Sequence, residues 1–167
     1  MDLAASVTFV AESAESDLMH QPPRNPKASF MDRAMVSSIF TSAAGLFAAV
    51  SLVYLLTWYG SHDLLRAQTV AFVAWLLGHV LLALNLRSER EPLVRLGLFS
   101  NRLMVIWGAA TVAFIIVVTL VPPVGTALKT VPPSGREWLL AAGATFVGTF
   151  WLELRKLIRS RGETRVG

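Results

Sequence analysis

The chain has 167 residues, of which 54% are hydrophobic and 16% are charged, and its formal net charge is +4. Soluble domains normally carry about 25% charged residues, so this composition, with a mean hydropathy of +0.55, excludes an ordinary soluble protein and indicates a membrane protein. Cysteine is absent, which excludes a disulfide framework and a thiolate metal site.

The chain starts with an apolar segment that is too short to cross a membrane. Residues 3–11 are uncharged, whereas a transmembrane helix needs about 20 residues. The segment also lacks the basic start of a signal peptide, because Asp2 follows Met1. We interpret residues 1–13 as the inner half of a transmembrane helix, followed by a cytoplasmic loop over 14–33. Since an α-ammonium near the bilayer midplane would be costly, we expect a truncated chain, a split gene product or an incorrectly assigned start, with Met1 an internal methionine of a longer parent protein.

Three long apolar runs come next, and beyond their first residues they contain no lysine, arginine, aspartate or glutamate. Each is long enough to cross the hydrocarbon core of a bilayer. The predicted transmembrane helices cover 34–60, 66–86 and 102–122, with a cytoplasmic loop over 87–101. The first of them carries small residues at near-helical spacing, which favour close helix packing in lipid. These residues are Ser37, Ser38, Ser42, Ala44 and Ala48.

A fourth apolar run, residues 138–152, is bounded by Glu137 and Glu153 and is short for a membrane span. It can still cross if the carboxylates lie near the headgroups and the basic side chains that follow extend to the interface. The predicted order is an outer loop over 123–136, a transmembrane helix over 137–156 and a cytoplasmic tail over 157–167. The predicted fold is therefore all-α: a polytopic membrane bundle of four full transmembrane helices preceded by a partial one.

Lysine and arginine are unevenly distributed about the predicted helices. Twelve lie before the first full helix, between the second and third, and after the fourth, whereas three lie on the other side. The positive-inside rule then places the C-terminus in the cytoplasm of a multi-pass protein of the cell membrane. The positive charge thus reflects topology, and we expect membrane lipid, and no nucleic acid, among its partners.

Three motifs in a fixed order carry a family resemblance. Residues 17–27 contain Met-His-Gln-Pro-Pro-Arg-Asn-Pro-Lys, and residues 83–102 contain Ala-Leu-Asn followed by Gly-Leu-Phe-Ser-Asn-Arg. Residues 137–156 start with Glu-Trp-Leu-Leu and end with Glu-Leu-Arg-Lys. In this order they resemble the loop after the sixth helix, the end of the eighth helix with the loop into the ninth, and the tenth helix of P-type cation-transporting ATPases, calcium pumps in particular.

The resemblance implies that the chain corresponds to half of the sixth helix and to helices seven to ten of a pump. The chain contains no Asp-Lys-Thr-Gly phosphorylation motif, so we expect no catalytic activity from it alone and no cofactor on it. ATP and Mg²⁺ are implied for the complete pump. The implied partners are the remainder of the ATPase, with its catalytic domains and first transmembrane helices, and the transported cation.

The resemblance also points to candidate site residues. Asp2 stands where the sixth helix of the family carries an aspartate that binds the transported cation, although Leu3 replaces the glycine that usually follows. His79 stands where some calcium pumps have a carboxylate, and a neutral imidazole is a poor calcium ligand. Polar residues inside a membrane are functional candidates by default, but helix packing is the competing interpretation for His79. Asn85 is predicted to cap or pack the end of its helix.

Two other functions are compatible with features of the pattern. The chain could be a stand-alone small membrane protein that regulates or stabilises a pump and transports nothing itself. An unrelated four-helix channel or carrier would explain the apolar runs but none of the three ordered motifs. The pump interpretation explains both.

Overall fold

A computed structural model describes residues 2–10, 33–87, 97 and 99–163. Within these residues every regular element is a helix, as the sequence predicts. Three helices are long and apolar enough to cross a membrane, which confirms a multi-pass membrane protein. The helices are α1 (Asp2–Val10), α2 (Arg33–Ser61), α3 (Leu64–Asn85), α4 (Arg102–Leu120), α5 (Pro122–Leu128) and α6 (Gly135–Glu163).

A tight turn joins α2 to α3. His62 has a positive φ of 52°, and its backbone N–H donates to the Trp58 carbonyl at 2.8 Å, which closes the last turn of α2. Asp63 then starts α3, because its carboxylate accepts a hydrogen bond from the Arg66 backbone N–H at 3.1 Å. We call this end of the bundle the hairpin end.

The segment after α4 is also at the hairpin end and is not irregular throughout. Pro122 starts the short helix α5 at a position where the missing N–H of proline is harmless. Lys129 ends α5 in the left-handed conformation. The Thr130 hydroxyl then donates to the Val118 carbonyl at 2.6 Å, which holds the returning chain against α4. The segment that the sequence predicts as an outer loop therefore contains a helix of its own.

A reciprocal cap starts α6. The Ser134 backbone N–H donates to Glu137 Oε2 at 2.6 Å, and the Glu137 backbone N–H donates to the Ser134 hydroxyl at 3.4 Å. This arrangement satisfies two backbone donors at once. From here α6 runs for 29 residues, well past the apolar run that indicates it in the sequence.

The centre of the bundle is formed by α2, α3 and α6, which pack against one another, while α4 packs on α3 and α1 packs on α4. The buried core consists of short and branched side chains: Val53, Val70, Val73, Ala74, Leu76, Ile115 and Ala141. Large apolar side chains such as Phe47, Phe114 and Val147 are exposed at the outside of the bundle. An apolar exterior is what a bilayer requires of a membrane-embedded bundle.

Backbones approach most closely where α2 crosses α6. A Cβ atom added to Gly148 would lie 2.8 Å from both the Gly45 carbonyl oxygen and Ala49 Cβ. Glycine at both positions is thus a steric requirement of the crossing, in the manner of small-residue contacts between transmembrane helices. The Trp151 indole N–H also donates to the Gly148 carbonyl at 3.0 Å.

Candidate functional site

The candidate ligand helix, α1, is held at its C-terminal end. Thr8 is only 2% exposed, whereas Val7 and Val10 are 59% and 87% exposed. Asp2 is the first residue of α1, six residues before Thr8, so the two lie about 9 Å apart along the helix axis at 1.5 Å per residue. The cytoplasmic loop predicted over 14–33, with its Pro-Pro-Arg motif, lies outside the described residues.

Asn101 connects α1 to α4. Its Nδ2 atom donates to the Thr8 carbonyl oxygen at 2.8 Å, and its Oδ1 atom accepts from the Met104 backbone N–H at 3.0 Å. The last four carbonyls and first four N–H groups of a helix lack partners within that helix. One side chain, itself 4% exposed, therefore satisfies the end of α1 and the start of α4 and fixes their relative position.

The chain just before Asn101 is held by Arg87. This arginine is 7% exposed, and its guanidinium donates to the Gly97 carbonyl at 2.9 Å and to the Ser100 hydroxyl at 2.6 Å. Gly97 has a φ of 79°, a left-handed conformation that favours glycine. The Ser100 hydroxyl in turn donates to the Gly97 carbonyl at 2.9 Å. The end of α3 is thereby tied to the start of α4, and we call this the loop end of the bundle.

His79 lies in the middle of α3 and is half-buried. Its Nδ1 atom is 3.0 Å from the Trp75 carbonyl oxygen, an acceptor, so Nδ1 carries the proton of a neutral ring. The ring also contacts the Trp75 indole edge-on, with a centroid separation of 4.8 Å. These contacts lie within one helix and favour the packing interpretation of His79.

Asn85 is the last residue of α3 and is 4% exposed. Its Nδ2 atom donates to the Leu81 carbonyl at 3.0 Å, four residues earlier in the same helix. His79 and Asn85 are thus on the same helix as the sequence predicts, each bonded to its own backbone. Within the described residues, no three histidine, aspartate or glutamate side chains form a cluster able to hold a metal ion.

The hairpin end contains an ion pair that the sequence did not reveal. Arg66 Nη1 donates to both carboxylate oxygens of Glu137, at 2.9 and 3.2 Å. Glu137 precedes the apolar run of α6. Partial burial raises its pKa, but hydrogen bonds from Ser134 and the positive charge of Arg66 outweigh that effect and hold the pKa of Glu137 below its ordinary value. The pair links the start of α3 to the start of α6.

Residues 1–158 match the model of a family described as "Cation transporting ATPase, C-terminus". The chain belongs to this family. The family assignment confirms the resemblance carried by the three motifs, and it covers the described helices from α1 to residue 158, in the last turns of α6.

Several calcium-transporting ATPases are similar to this chain along most of its length. The "Calcium-transporting ATPase" of Bacillus subtilis (strain 168) is 24% identical over 151 residues, which are 90% of this chain and 17% of that protein. The "Probable calcium-transporting ATPase 8, plasma membrane-type" of Oryza sativa subsp. japonica is 28% identical over 86% of this chain and 14% of that protein. The "Calcium-transporting ATPase type 2C member 2" of Rattus norvegicus is 24% identical over 94% of this chain and 17% of that protein. The chain therefore spans less than a fifth of the length of these relatives.

Proposed function

We propose that the chain forms the C-terminal membrane domain of a P-type cation pump, in which α2 to α6 are a scaffold and α1 carries one ligand of the transported cation. The observation that carries the proposal is the family match over residues 1–158. The buried link between Thr8 and Asn101 supports it, because a scaffold that holds a ligand helix must fix that helix at a defined position.

In this proposal Asp2 supplies a carboxylate to the cation inside the membrane. Hard cations such as Ca²⁺ bind oxygen ligands, and a carboxylate also neutralises charge. Asp2 lies more than a full turn away along α1 from the Thr8 contact with Asn101, and this separation supports a position for Asp2 further from the loop end. The relatives are named calcium-transporting ATPases, which favours Ca²⁺ as the cation. The remaining ligands, ATP and Mg²⁺ belong to the rest of the pump.

We further propose that α6 is a fourth membrane span. The bundle then consists of a partial transmembrane helix followed by four full ones, with a cytoplasmic C-terminus. Four buried residues recur every four positions along one face of α6: Ala141, Thr145, Thr149 and Glu153. Exposed apolar side chains lie between them, among them Leu139, Phe146, Val147, Phe150 and Leu154. A helix packed on one face and apolar on the other suits a lipid surround.

The experiment that tests the pump assignment is a purification from native membranes with a tag at the C-terminus. In mild detergent, the tagged polypeptide should either have a mass far above 18.2 kDa or copurify at fixed stoichiometry with a second polypeptide that contains the Asp-Lys-Thr-Gly phosphorylation motif. Mass spectrometry of the purified sample identifies both cases. An isolated, folded and monodisperse 18.2 kDa chain would contradict the proposal and favour the stand-alone membrane protein.

A further inference from the structure

The loop end of the bundle contains a buried guanidinium, that of Arg87, which is only 7% exposed. Arg87 follows the last residue of α3 by two positions. The backbone before it is fixed, because the Leu86 N–H donates to the Leu82 carbonyl at 2.9 Å and closes the last turn of α3. The side chain of Arg87 therefore starts from a defined position at the end of α3.

The guanidinium of Arg87 holds the turn that precedes α4. Its Nη1 atom donates to the Gly97 carbonyl at 2.9 Å, and its Nη2 atom donates to the Ser100 hydroxyl at 2.6 Å. The Ser100 backbone N–H and hydroxyl both donate to the same Gly97 carbonyl, at 3.4 and 2.9 Å. The planar fork of arginine suits two neighbouring acceptors. One side chain thus fixes both ends of the Gly97–Ser100 turn.

Asn101 follows this turn directly and makes the contact to α1. Its Nδ2 atom donates to the Thr8 carbonyl at 2.8 Å, while its Oδ1 atom accepts from the Met104 N–H at 3.0 Å. The Asn101 backbone has φ −96° and ψ 94°, outside the helical region. Helix α4 therefore does not fix this residue by itself, and the turn before Asn101 contributes to the position of its side chain.

Helix α1 depends on a polar contact of this kind for its position. It packs on α4, and on its other side Val7 and Val10 are 59% and 87% exposed. Apolar contact between two helices tolerates sliding, whereas a hydrogen bond requires a defined distance and angle. The bond between Thr8 and Asn101 therefore sets the position of α1 along the bundle.

We infer that Arg87 is a positioning residue for α1, which acts through the Gly97–Ser100 turn and the Asn101 side chain. The consequence for transport rests on the proposed function. If α1 carries a ligand of the transported cation, Arg87 sets the position of that ligand and thereby the affinity for the cation, without touching it. The end of α3 is in this way coupled to the ligand helix.

The coupling is tested on the full 167-residue chain in detergent, by hydrogen exchange with mass spectrometry on the peptides that cover α1. Arg87→Gln removes the charge and the fork, and should lower the protection of α1 about tenfold, the effect of one lost charged hydrogen bond. The double variant Arg87→Gln/Asn101→Asp should exchange no faster in α1 than Asn101→Asp alone, because both changes break the same connection. Unchanged protection in Arg87→Gln, or additive effects in the double variant, would overturn the inference.

A milder pair of variants repeats the test with the arginine in place. Ser100→Ala removes one of the two acceptors of Arg87 and should cause a smaller loss of protection in α1. Ser100→Thr keeps the hydroxyl and should restore the protection of the wild type. Equal exchange in α1 for the alanine and threonine variants would contradict a connection through this hydroxyl.

Arg66→Gln is the matched control at the hairpin end. The Arg66 guanidinium also makes two hydrogen bonds, at 2.9 and 3.2 Å to Glu137, and its loss should leave exchange in α1 unchanged. Faster exchange in α1 of Arg66→Gln would show that α1 responds to any loosening of the bundle and would overturn the inference. So would an equal increase in α1, α2 and α6 of Arg87→Gln.

The effect on the cation is measured in the assembled pump, with Ca²⁺ as the probe and ATP hydrolysis as the readout. Arg87→Gln should raise the Ca²⁺ concentration for half-maximal activity about threefold or more and leave the rate at saturating Ca²⁺ nearly unchanged, since bound cation selects the correct position of α1. A lower maximal rate at unchanged half-saturation is the result of simple damage and would overturn the inference. A wild-type assembly without Ca²⁺-dependent hydrolysis would refute the proposed function, whereas a Ca²⁺-dependent wild type with unchanged α1 exchange in Arg87→Gln would overturn this inference alone.

Discussion

Single side chains at the two ends of the bundle carry the contacts between helices that are distant in sequence. At the loop end, Asn101 uses its donor for α1 and its acceptor for α4. At the hairpin end, Arg66 and Glu137 join α3 to α6. Their separations along the chain are 93 and 71 residues, so each contact constrains the fold as a whole.

Replacement of Asn101 by aspartate separates its two roles. A carboxylate can still accept from the Met104 N–H, but it cannot donate to the Thr8 carbonyl and would repel that oxygen. We expect Asn101→Asp to lose protection from hydrogen exchange in α1 while the first turn of α4 stays protected. Asn101→Ala should lose protection at both places and cost about 1–2 kcal/mol of stability.

Hydrogen exchange with mass spectrometry, resolved to the peptides that cover α1 and the start of α4, measures both effects in the same sample. Ser100 next to it offers no equivalent connection, because its hydroxyl bonds within the loop end. Equal exchange in α1 of the wild type and Asn101→Asp would show that packing alone holds α1.

A second prediction at this scale concerns the ion pair at the hairpin end. The side chains of Arg66 and Glu137 are 32% and 14% exposed, so solvent screens the pair only partially and we expect a coupling energy of about 0.5–1 kcal/mol. A double-mutant cycle of Arg66→Gln and Glu137→Gln, measured by thermal melting in detergent, gives this coupling. Glutamine at Glu137 keeps the capping box with Ser134, so the cycle isolates the charge.

The pH dependence of the same pair has a definite sign. The pKa of Glu137 is lowered in the folded chain, so the folded state favours the ionised carboxylate. Its contribution to stability is complete above the unfolded pKa and is lost as the pH falls through the lower, folded pKa. Glu137→Gln should therefore show a smaller loss of stability on acidification than the wild type. An equal drop in melting temperature between neutral and acid pH for the wild type and Glu137→Gln would contradict this.

Polar residues inside the predicted transmembrane helices can be recognised in the sequence, but their hydrogen-bond partners cannot. His79 and Asn85 stand out because polar residues are rare in apolar runs, and the structure bonds each to its own helix. Asn101 lies in a quoted motif, and asparagine before an apolar run is a helix-cap signal, yet its contact to α1 depends on tertiary structure.

At the scale of elements, the crossing of α2 and α6 decides how the central helices pack. Gly148 leaves no room for a Cβ atom, whereas a Cβ at Gly143 in the same helix would meet nothing within 4 Å. We expect Gly148→Ala to cost about 1–3 kcal/mol through forced separation of the backbones. Gly143→Ala is the matched control and should be neutral or stabilising, because alanine favours a helix over glycine.

Thermal melting of both variants in the same detergent measures the difference. Exchange of Gly45 for alanine should resemble Gly148→Ala, because its Cβ would meet the Gly148 carbonyl oxygen. A Gly148→Ala variant as stable as Gly143→Ala would show that the two helices are not in close contact in the membrane.

The positions of the long helices could be predicted well from the sequence, whereas the contacts between helices could not. Apolar runs without charge predict the helices over 34–60, 66–86 and 102–122, since length and hydropathy alone decide whether a segment suits the bilayer. The small-residue stripe of α2 was less informative. Ser42 is buried, but Ala44 and Ala48 are exposed, and the contact with α6 is made by Gly45. Which face of a uniformly apolar helix meets a neighbour depends on that neighbour.

For the whole molecule, the sequence and the family assignment agree on a helical membrane domain of the cation-transporting ATPase family. Whether α6 crosses the membrane, and on which side it ends, stays a prediction. The helix combines the short apolar run 138–152 with a basic C-terminal segment, so hydropathy alone leaves it ambiguous. Its buried face and exposed apolar side chains support a span, and the distribution of lysine and arginine supports a cytoplasmic C-terminus.

Because the chain contains no cysteine, single cysteines can report this topology directly. A Cβ at Gly135, the start of α6, meets nothing within 4 Å, and Phe99 at the loop end is 78% exposed. We expect Gly135→Cys to react with a membrane-impermeant maleimide in intact cells, while Phe99→Cys and Gly167→Cys react only after the cells are permeabilised. If α6 failed to span, Gly135 and Gly167 would be labelled from the same side. If the charge bias were misleading, all three positions would exchange sides together, which leaves the bundle intact but reverses its orientation.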